Sequence, residues 1–318
     1  MSLRPHALPP RHLYAGPYVD RGGERRKDAE WVAALLASDR VRFVPVWRTM
    51  NLVRRLPEPA AVLWSAAEAA AALRQTAPIF LGEFREQYCF ALELDAEATD
   101  AADAGFVDLR LAGGELSPEE AGLLAYARAL VYWRNRHRYC GTCGSPAAPD
   151  SGGQVMRCTN AACGSESFPR LDPAIIVLVT DGERALLGRQ ASWPPQRYST
   201  LAGFVEPGES LEDAVVREVA EEANVAVTAV SYHSSQPWPF PSSLMVGFIG
   251  QAAPGAEPRA GEELEDARWV TRDELIEGTI KLPPPVSISF RLIESWYEAE
   301  PGRRLVADLA QRGHSARW

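Results

Sequence analysis

The sequence predicts an α/β protein, built as a three-layer α/β/α sandwich with a mixed sheet that follows a small cysteine ribbon and an N-terminal α+β domain. Three observations predict this order. Short apolar runs separated by turn residues fill residues 41–109, two pairs of closely spaced cysteines occupy 140–163, and apolar runs alternate with helical patterns from 174 onward. Strands that alternate with helices are typical of a sheet covered on both faces.

Composition narrows the class of protein. The chain has 318 residues, of which 46% are apolar and 24% charged, and its length suits two or three domains. A net charge of −9 argues against a DNA-binding protein, although a local basic groove is compatible with it. Apolar runs stay below the ~18 residues of a membrane span, and residues 1–20 lack the apolar core of an export signal. We therefore expect a cytoplasmic protein, no membrane segment and reduced cysteines.

The first part of the chain carries no catalytic motif. Residues 1–30 are rich in Pro, Gly and Arg, and we expect a loosely docked arm there. Residues 31–136 form the expected α+β domain, with a helix over the Ala-rich stretch 65–75. Short strands are predicted at 41–47, 61–64, 79–82, 89–92 and 106–109. Cys89 has no partner at metal-ligand spacing, which favours a buried thiol.

A helix is predicted at the end of this domain. Ser117 is a good N-cap, Pro118 suits the first turn, and Glu120 stands where a capping box places its acid. The helix should run to about Arg136 and lead directly into the cysteines.

The four cysteines of segment 137–170 have the spacing of a zinc ribbon. Cys140 and Cys143 are separated by two residues, and Cys158 and Cys163 by four. Four thiolates leave no open position on Zn²⁺, so one structural ion per chain is predicted. The alternative is two disulfides or free thiols, which the expected absence of an export signal disfavours.

Residues 171–300 form the expected catalytic domain, followed by a tail at 301–318. The domain should contain strands at 174–179, 185–188, 225–227 and 244–249, and helices at 210–223, after Thr271 and at 286–298. Between two of these strands, residues 235–243 combine three prolines with two aromatic residues, which predicts a stiff extended loop. Such a loop could line a flat pocket; the alternative is a rigid loop with a purely structural role.

The helix at 210–223 carries the chemistry. Glu218, Glu221 and Glu222 fall at i, i+3 and i+4, so their side chains share one face. Like charges at this spacing repel, and a hard divalent cation such as Mg²⁺ or Mn²⁺ compensates them. We expect these ligands to be exposed; a solvated acidic helix is the alternative.

The surrounding residues resemble the Nudix box, Gly-x5-Glu-x7-Arg-Glu-U-x-Glu-Glu-x-Gly-U, where U is aliphatic. The matching residues are Gly203, Glu209, Arg217, Glu218, Val219, Glu221, Glu222 and Val225. Asn224 replaces the last glycine, and we expect it to take the left-handed conformation that ends the helix. Arg217 and Glu209 should hold the geometry of loop and helix.

Residues 40–300 as a whole resemble the NADH pyrophosphatase family of Nudix hydrolases. The resemblance rests on the domain order and on Gln-Pro-Trp-Pro-Phe-Pro at 236–241. It implies a homodimer with a structural zinc that hydrolyses NAD(H) to nicotinamide mononucleotide and AMP, and it implies removal of the NAD cap from the 5′ end of RNA. Glu222, with Glu218 and Glu221, is expected to be catalytic.

The resemblance also implies particular site residues. Glu218, Glu221, Glu222 and a later glutamate should bind Mg²⁺ or Mn²⁺; Glu263 matches that glutamate best, with Glu262 and Glu265 as alternatives. The expected substrate contacts are stacking of nicotinamide on Phe168 and Phe204, and a pocket wall formed by Gln236 and Trp238.

Rival functions are a broader pyrophosphatase for dinucleotides or nucleoside-diphosphate sugars, and a non-enzymatic regulator that binds NAD(H) or RNA. The intact carboxylate set argues against the regulator. The sequence leaves open the main substrate among NADH, NAD and capped RNA, the phosphorus attacked, the catalytic metal, and the role of the N-terminal domain.

Overall fold

The computed structural model describes residues 12–55, 57–97 and 103–314. Residues 1–11 of the expected arm and 315–318 of the expected tail lie outside the described residues. The chain divides into two compact units, each described by itself below. The N-terminal unit contains residues 13–171 together with 238–242, and the C-terminal unit contains His12 and residues 172–237 and 243–314. Within the described ranges, no helix combines the length and apolar character that crossing a membrane requires.

The N-terminal unit begins with an α+β arrangement. Its helices are α1 (Ala29–Leu36), α2 (Ala66–Leu73), α3 (Leu109–Ala112) and α4 (Pro118–Arg136). Its strands are β1 (Val41–Trp47), β2 (Met50–Arg54), β3 (Ala60–Ala61), β4 (Ile79–Phe84), β5 (Gln87–Leu94) and β6 (Ala104–Val107). They form one sheet in the order β3-β2-β1-β5-β4, with β6 also paired to β2, and β1 and β5 run parallel.

Most predicted elements of this unit are present. Helix α4 starts where predicted, because the Ser117 hydroxyl accepts a hydrogen bond from the Glu120 N–H. The strand predicted at 61–64 is reduced to the two residues of β3, and β2 and α1 were not predicted.

The expectation of a loose arm is wrong for residues 13–30. Tyr14 is buried, and its hydroxyl donates to the Leu109 carbonyl at 2.8 Å. Asp28 caps α1 by accepting hydrogen bonds from the Glu30 and Trp31 N–H groups. This stretch is therefore an integral part of the packed unit.

Three short strands follow α4: β7 (Ala147–Asp150), β8 (Val155–Cys158) and β9 (Glu166–Ser167). They form a separate antiparallel sheet in the order β7-β8-β9. Cys140 and Cys143 precede β7, Cys158 ends β8, and Cys163 lies in the turn between β8 and β9.

The C-terminal unit holds the second large sheet. Its strands are β10 (Asp172–Thr180), β11 (Arg184–Arg189), β12 (Leu201–Phe204), β13 (Val227–Trp238), β14 (Ser243–Ala252) and β15 (Asp266–Thr271). Its helices are α5 (Leu211–Ala223), α6 (Arg272–Ile276), α7 (Ile288–Glu298) and α8 (Leu305–Gln311). The sheet order is β13-β14-β10-β11-β15, with β12 paired to β10 and with β10 and β14 parallel.

Alternation along β10 creates the predicted sandwich. Ile175 and Val177 belong to the apolar cluster that includes α5, whereas Ile176 and Leu178 belong to the cluster that includes α7. Successive side chains of a strand point to opposite faces, so one strand anchors both helical layers. The mixed sheet and the α/β/α layering are confirmed.

Two predictions for this unit need correction. Residues 235–238, expected in a loop, are the last part of strand β13, so the turn between β13 and β14 is confined to 239–242. Helix α8 lies in the segment expected as a tail. It has no side-chain cap, since Arg304 at its N-cap makes no such hydrogen bond, and so it leaves no capping signal in the sequence.

Candidate metal centre and substrate site

Helix α5 is defined at both ends by its own sequence. Ser210 accepts a hydrogen bond from the Asp213 N–H while the Asp213 carboxylate accepts from the Ser210 N–H, a reciprocal capping box. At the other end Asn224 adopts φ 54° and ψ 34°, the left-handed conformation predicted for it. The helix therefore presents its glutamates in a fixed register.

Arg217 braces the loop before α5 against the helix. Its Nε and Nη2 donate to the two carboxylate oxygens of Glu209 at 2.6 and 2.9 Å, and Nη2 also donates to the Phe204 carbonyl at 2.9 Å. Its Nη1 donates to Glu218 at 2.9 Å and to Glu221 at 3.0 Å. Hydrogen bonds from Arg217 lower the pKa of Glu209 to about 2, so Glu209 is ionised at neutral pH. These contacts support the predicted bracing role of the pair.

Gly203 makes room for Glu218. It lies in β12, where an added Cβ would sit 1.9 Å from the Glu218 carboxylate. A side chain at this position would therefore displace that carboxylate. The first glycine of the box thus lets a carboxylate rest against the sheet, and burial raises the pKa of that carboxyl despite the opposing effect of Arg217.

Glu222 is buried, contrary to the expectation of an exposed ligand. Its side chain is 6% exposed. Burial raises its pKa to about 8, and the negative charges of Glu218 and Glu263 add to the shift. Without a cation, this carboxyl is held in an environment that disfavours its ionised form.

Glu263 stands next to the box glutamates. Its charge raises the pKa of both Glu218 and Glu222. Glu265 is instead paired with the Arg189 guanidinium. The position of Glu263 therefore supports it as the later metal ligand.

The carboxylates are neighbours, but they do not form one tight group. Within the part of the chain that the structure describes, the only set of His, Cys, Asp or Glu whose ligand atoms all lie within 4.8 Å of one another is the cysteine set. Glu221 is 60% exposed and bonded to Arg217. Oxygen donors with this open spacing suit Mg²⁺ or Mn²⁺, which keep coordination positions for water and phosphate.

The cysteine set fits a closed zinc site. The Sγ atoms of Cys140 and Cys163 lie 3.8 Å apart, and those of Cys143 and Cys158 lie 3.4 Å apart. Tetrahedral Zn–S bonds of about 2.3 Å place sulfurs about 3.8 Å from one another. The distances exclude disulfides, whose S–S bond is about 2 Å. The predicted clustering is confirmed, and Cys89 is buried with a pKa raised to about 12 by burial.

The two candidate stacking rings are free of the core. Phe204, in the C-terminal unit, is 60% exposed, and Phe168, in the N-terminal unit, is 61% exposed. Large apolar side chains at such exposure offer a face for a flat ligand. At this exposure, Phe204 is not part of the apolar core behind the box.

Gln236 and Trp238 occupy different surroundings. Gln236 is fully buried: its Nε2 donates to the Val286 carbonyl and its Oε1 accepts from the Ile288 N–H, both at 2.8 Å. It thus joins the end of β13 to the start of α7, and its role at a nucleotide stays a prediction. Trp238 packs edge-to-face on Tyr14 and Phe240 at ring distances of 6.1 and 5.1 Å.

Three domain families match successive parts of the chain. Residues 40–133 match the NADH pyrophosphatase-like rudimentary NUDIX domain, 135–168 match the NADH pyrophosphatase zinc ribbon domain, and 170–290 match the NUDIX domain. The order is that of the predicted α+β domain, ribbon and catalytic domain.

Similar proteins support the same assignment. The chain is 44% identical over 223 residues to the NAD-capped RNA hydrolase NudC of Stutzerimonas stutzeri, covering 70% of this chain and 78% of that protein. It is 43% identical over 239 residues to the Deinococcus radiodurans protein of that name, covering 74% and 81%. The human NAD-capped RNA hydrolase NUDT12 is 41% identical over 202 residues, but the match spans only 44% of that protein. The chain therefore belongs to the NADH pyrophosphatase family of Nudix hydrolases.

Proposed function

We propose that this protein hydrolyses the diphosphate bond of NAD(H), giving nicotinamide mononucleotide and AMP, and that it removes the NAD cap from the 5′ end of RNA. The observation that carries the proposal is the group of Glu218, Glu222 and Glu263: Glu222 is buried, and the negative charges of the other two raise its pKa further. A bound cation offsets this repulsion. The names of relatives at 40–44% identity support the choice of substrate.

Each side chain has a distinct part in the proposed reaction. When bound, Mg²⁺ or Mn²⁺ neutralises charge on the diphosphate and polarises the attacking water. Glu218, Glu221, Glu222 and Glu263 hold the cations. Glu222 also accepts a proton from the attacking water at its carboxylate.

The remaining assignments concern the substrate. Phe168 and Phe204 stack on nicotinamide, because both rings are exposed. Gln236 and Trp238 are proposed to contact the nucleotide. The same proposal includes a homodimer, a cytoplasmic location, one structural zinc per chain and the segment boundaries 31–136, 137–170 and 171–300.

A substrate panel tests the proposal. Purified protein with Mg²⁺ or Mn²⁺ is given NADH, NAD, NAD-capped RNA, ADP-ribose and a diadenosine polyphosphate, each alone and in competition. The proposal predicts the highest kcat/KM for substrates that carry nicotinamide. Equal values across the panel would favour the broader pyrophosphatase, and binding of NAD(H) without turnover would favour the regulator.

A further inference from the structure

The segment that carries Glu263 is attached to the box helix through the backbone. The Arg259 N–H donates to the Ala223 carbonyl, and the Gly261 N–H donates to the Glu222 carbonyl, both at 2.8 Å. These carbonyls belong to the last turn of α5, where helix carbonyls have no partner within the helix. The segment therefore completes the hydrogen bonding of the helix that supplies the other ligands.

The same segment is also anchored beyond Glu263. The Glu265 N–H donates to the Arg189 carbonyl at 2.9 Å, and the Glu265 carboxylate pairs with the Arg189 guanidinium. Arg189 ends strand β11, which pairs with β15. Glu263 thus lies between one anchor on α5 and a second anchor on the sheet.

The first anchor requires a glycine at position 261. An added Cβ would lie 2.1 Å from the Glu221 carbonyl oxygen and 3.4 Å from the Glu222 Cα. Both are backbone atoms of a helix, so neither can move aside as the end of a flexible side chain does. The φ of Gly261 is not left-handed. Close approach, and not backbone conformation, is therefore what demands glycine here.

We infer that Gly261 is a positioning residue for the catalytic metal site. The absence of a side chain lets the 259–263 segment lie against α5, and this contact sets the carboxylate of Glu263 beside those of Glu218 and Glu222. The inference rests on the proposed function in one respect: Glu263 has to be a cation ligand. A residue with a Cβ at 261 pushes the segment away from the helix and takes Glu263 with it.

The test measures Mn²⁺ binding to the full-length protein by electron paramagnetic resonance, with circular dichroism and melting temperature recorded in parallel. Gly261→Ala should weaken Mn²⁺ binding by about 10–100-fold, the range seen when residues that orient metal ligands are changed. Glu263→Gln should weaken it at least as much. The double variant should bind no worse than Glu263→Gln alone, because Gly261 acts through Glu263.

Two matched controls separate positioning from general damage. In Gly250→Ala, the new Cβ meets Val177 and Val179 methyl groups at 3.3 and 3.4 Å, so this variant should change the melting temperature and leave Mn²⁺ affinity intact. Glu262→Gln removes a neighbouring charge and should also retain wild-type affinity.

Three results would overturn the inference. The first is Mn²⁺ affinity in Gly261→Ala equal to that of the wild type. The second is a double variant whose loss of Mn²⁺ binding free energy equals the sum of the two single losses. The third is a Gly261→Ala chain that does not fold. A wild-type protein that binds Mn²⁺ but does not hydrolyse NADH would instead contradict the proposed function, and the binding comparison would still decide the role of Gly261.

Discussion

Glu263 lies in the loop that precedes β15, two residues after Gly261, whose N–H is hydrogen-bonded to the carbonyl of Glu222 in the last turn of α5. Burial is the main cause of the raised pKa of Glu222, followed by the negative charge of Glu218 and then by that of Glu263. The charge of Glu263 therefore disfavours the ionised form of Glu222 in the metal-free protein, although the two acids lie far apart in the sequence. The proposed role of these acids in binding cations can be tested one residue at a time.

Glu222→Gln should lower kcat by about 10²–10⁴-fold, the usual contribution of a positioned acid or base. The side chain keeps its size, so the fold should be intact by circular dichroism. Glu212→Gln, an exposed change in the first turn of the same helix, should retain wild-type turnover. Near wild-type turnover in Glu222→Gln would remove Glu222 from the mechanism.

The pH dependence of stability should reveal the burial of Glu222. Its pKa is raised from 4.5 to about 8 in the folded, metal-free protein. In that window the folded state binds a proton that the unfolded state has released, so stability falls as pH rises. Glu222→Gln lacks this loss of stability. The melting temperature of the variant minus that of the wild type should therefore increase between about pH 5 and about pH 8. Both proteins are treated with a chelator before the measurement. If their melting temperatures change with pH in the same way across this range, the burial of an ionisable Glu222 is contradicted.

Removal of a zinc ligand should act on folding and not on the chemical step alone. Cys140→Ser or Cys158→Ser breaks a closed thiolate site, whose binding energy contributes directly to stability. Elemental analysis should find about one Zn per wild-type chain and substantially less in either variant. Cys89→Ala, which removes a buried thiol away from the cluster, should retain full zinc content. Equal zinc content in all four proteins would refute a four-cysteine site.

Phe204→Ala should weaken turnover of NADH more than turnover of ADP-ribose. A lost stacking surface is worth ~1–3 kcal/mol, or roughly 5- to 150-fold in kcat/KM. Because Phe204 is largely exposed, its truncation should leave the melting temperature unchanged. Phe168→Ala should behave alike. Equal losses on both substrates would exclude nicotinamide stacking.

Local signals in the sequence predicted local structure well. The spacing of the cysteines predicted their cluster, and the substitution at Asn224 predicted a left-handed helix end. Asp28 before α1 is a usable capping signal for a helix that was not predicted, whereas α8 has no side-chain cap. Each of these features depends on residues a few positions apart.

Long-range contacts were not predictable in this way. Helical spacing places Glu222 on the acidic face, but it does not reveal that the segment around Gly261 lies against the same turn. The motif around Gln236 suggested a pocket residue, yet its amide is bonded within the protein to Val286 and Ile288. A side-chain amide serves either purpose, and only the fold decides which partners it meets.

The most direct test of the central claim is mass analysis of the products of NADH hydrolysis in ¹⁸O-labelled water, comparing wild type with Glu222→Gln. The account predicts reduced nicotinamide mononucleotide and AMP from the wild type, with one ¹⁸O atom in one of the two phosphates, and little product from Glu222→Gln. The position of the label also identifies the phosphorus that water attacks. Release of free nicotinamide with ADP-ribose, or equal product from both proteins, would contradict diphosphate hydrolysis by the box carboxylates.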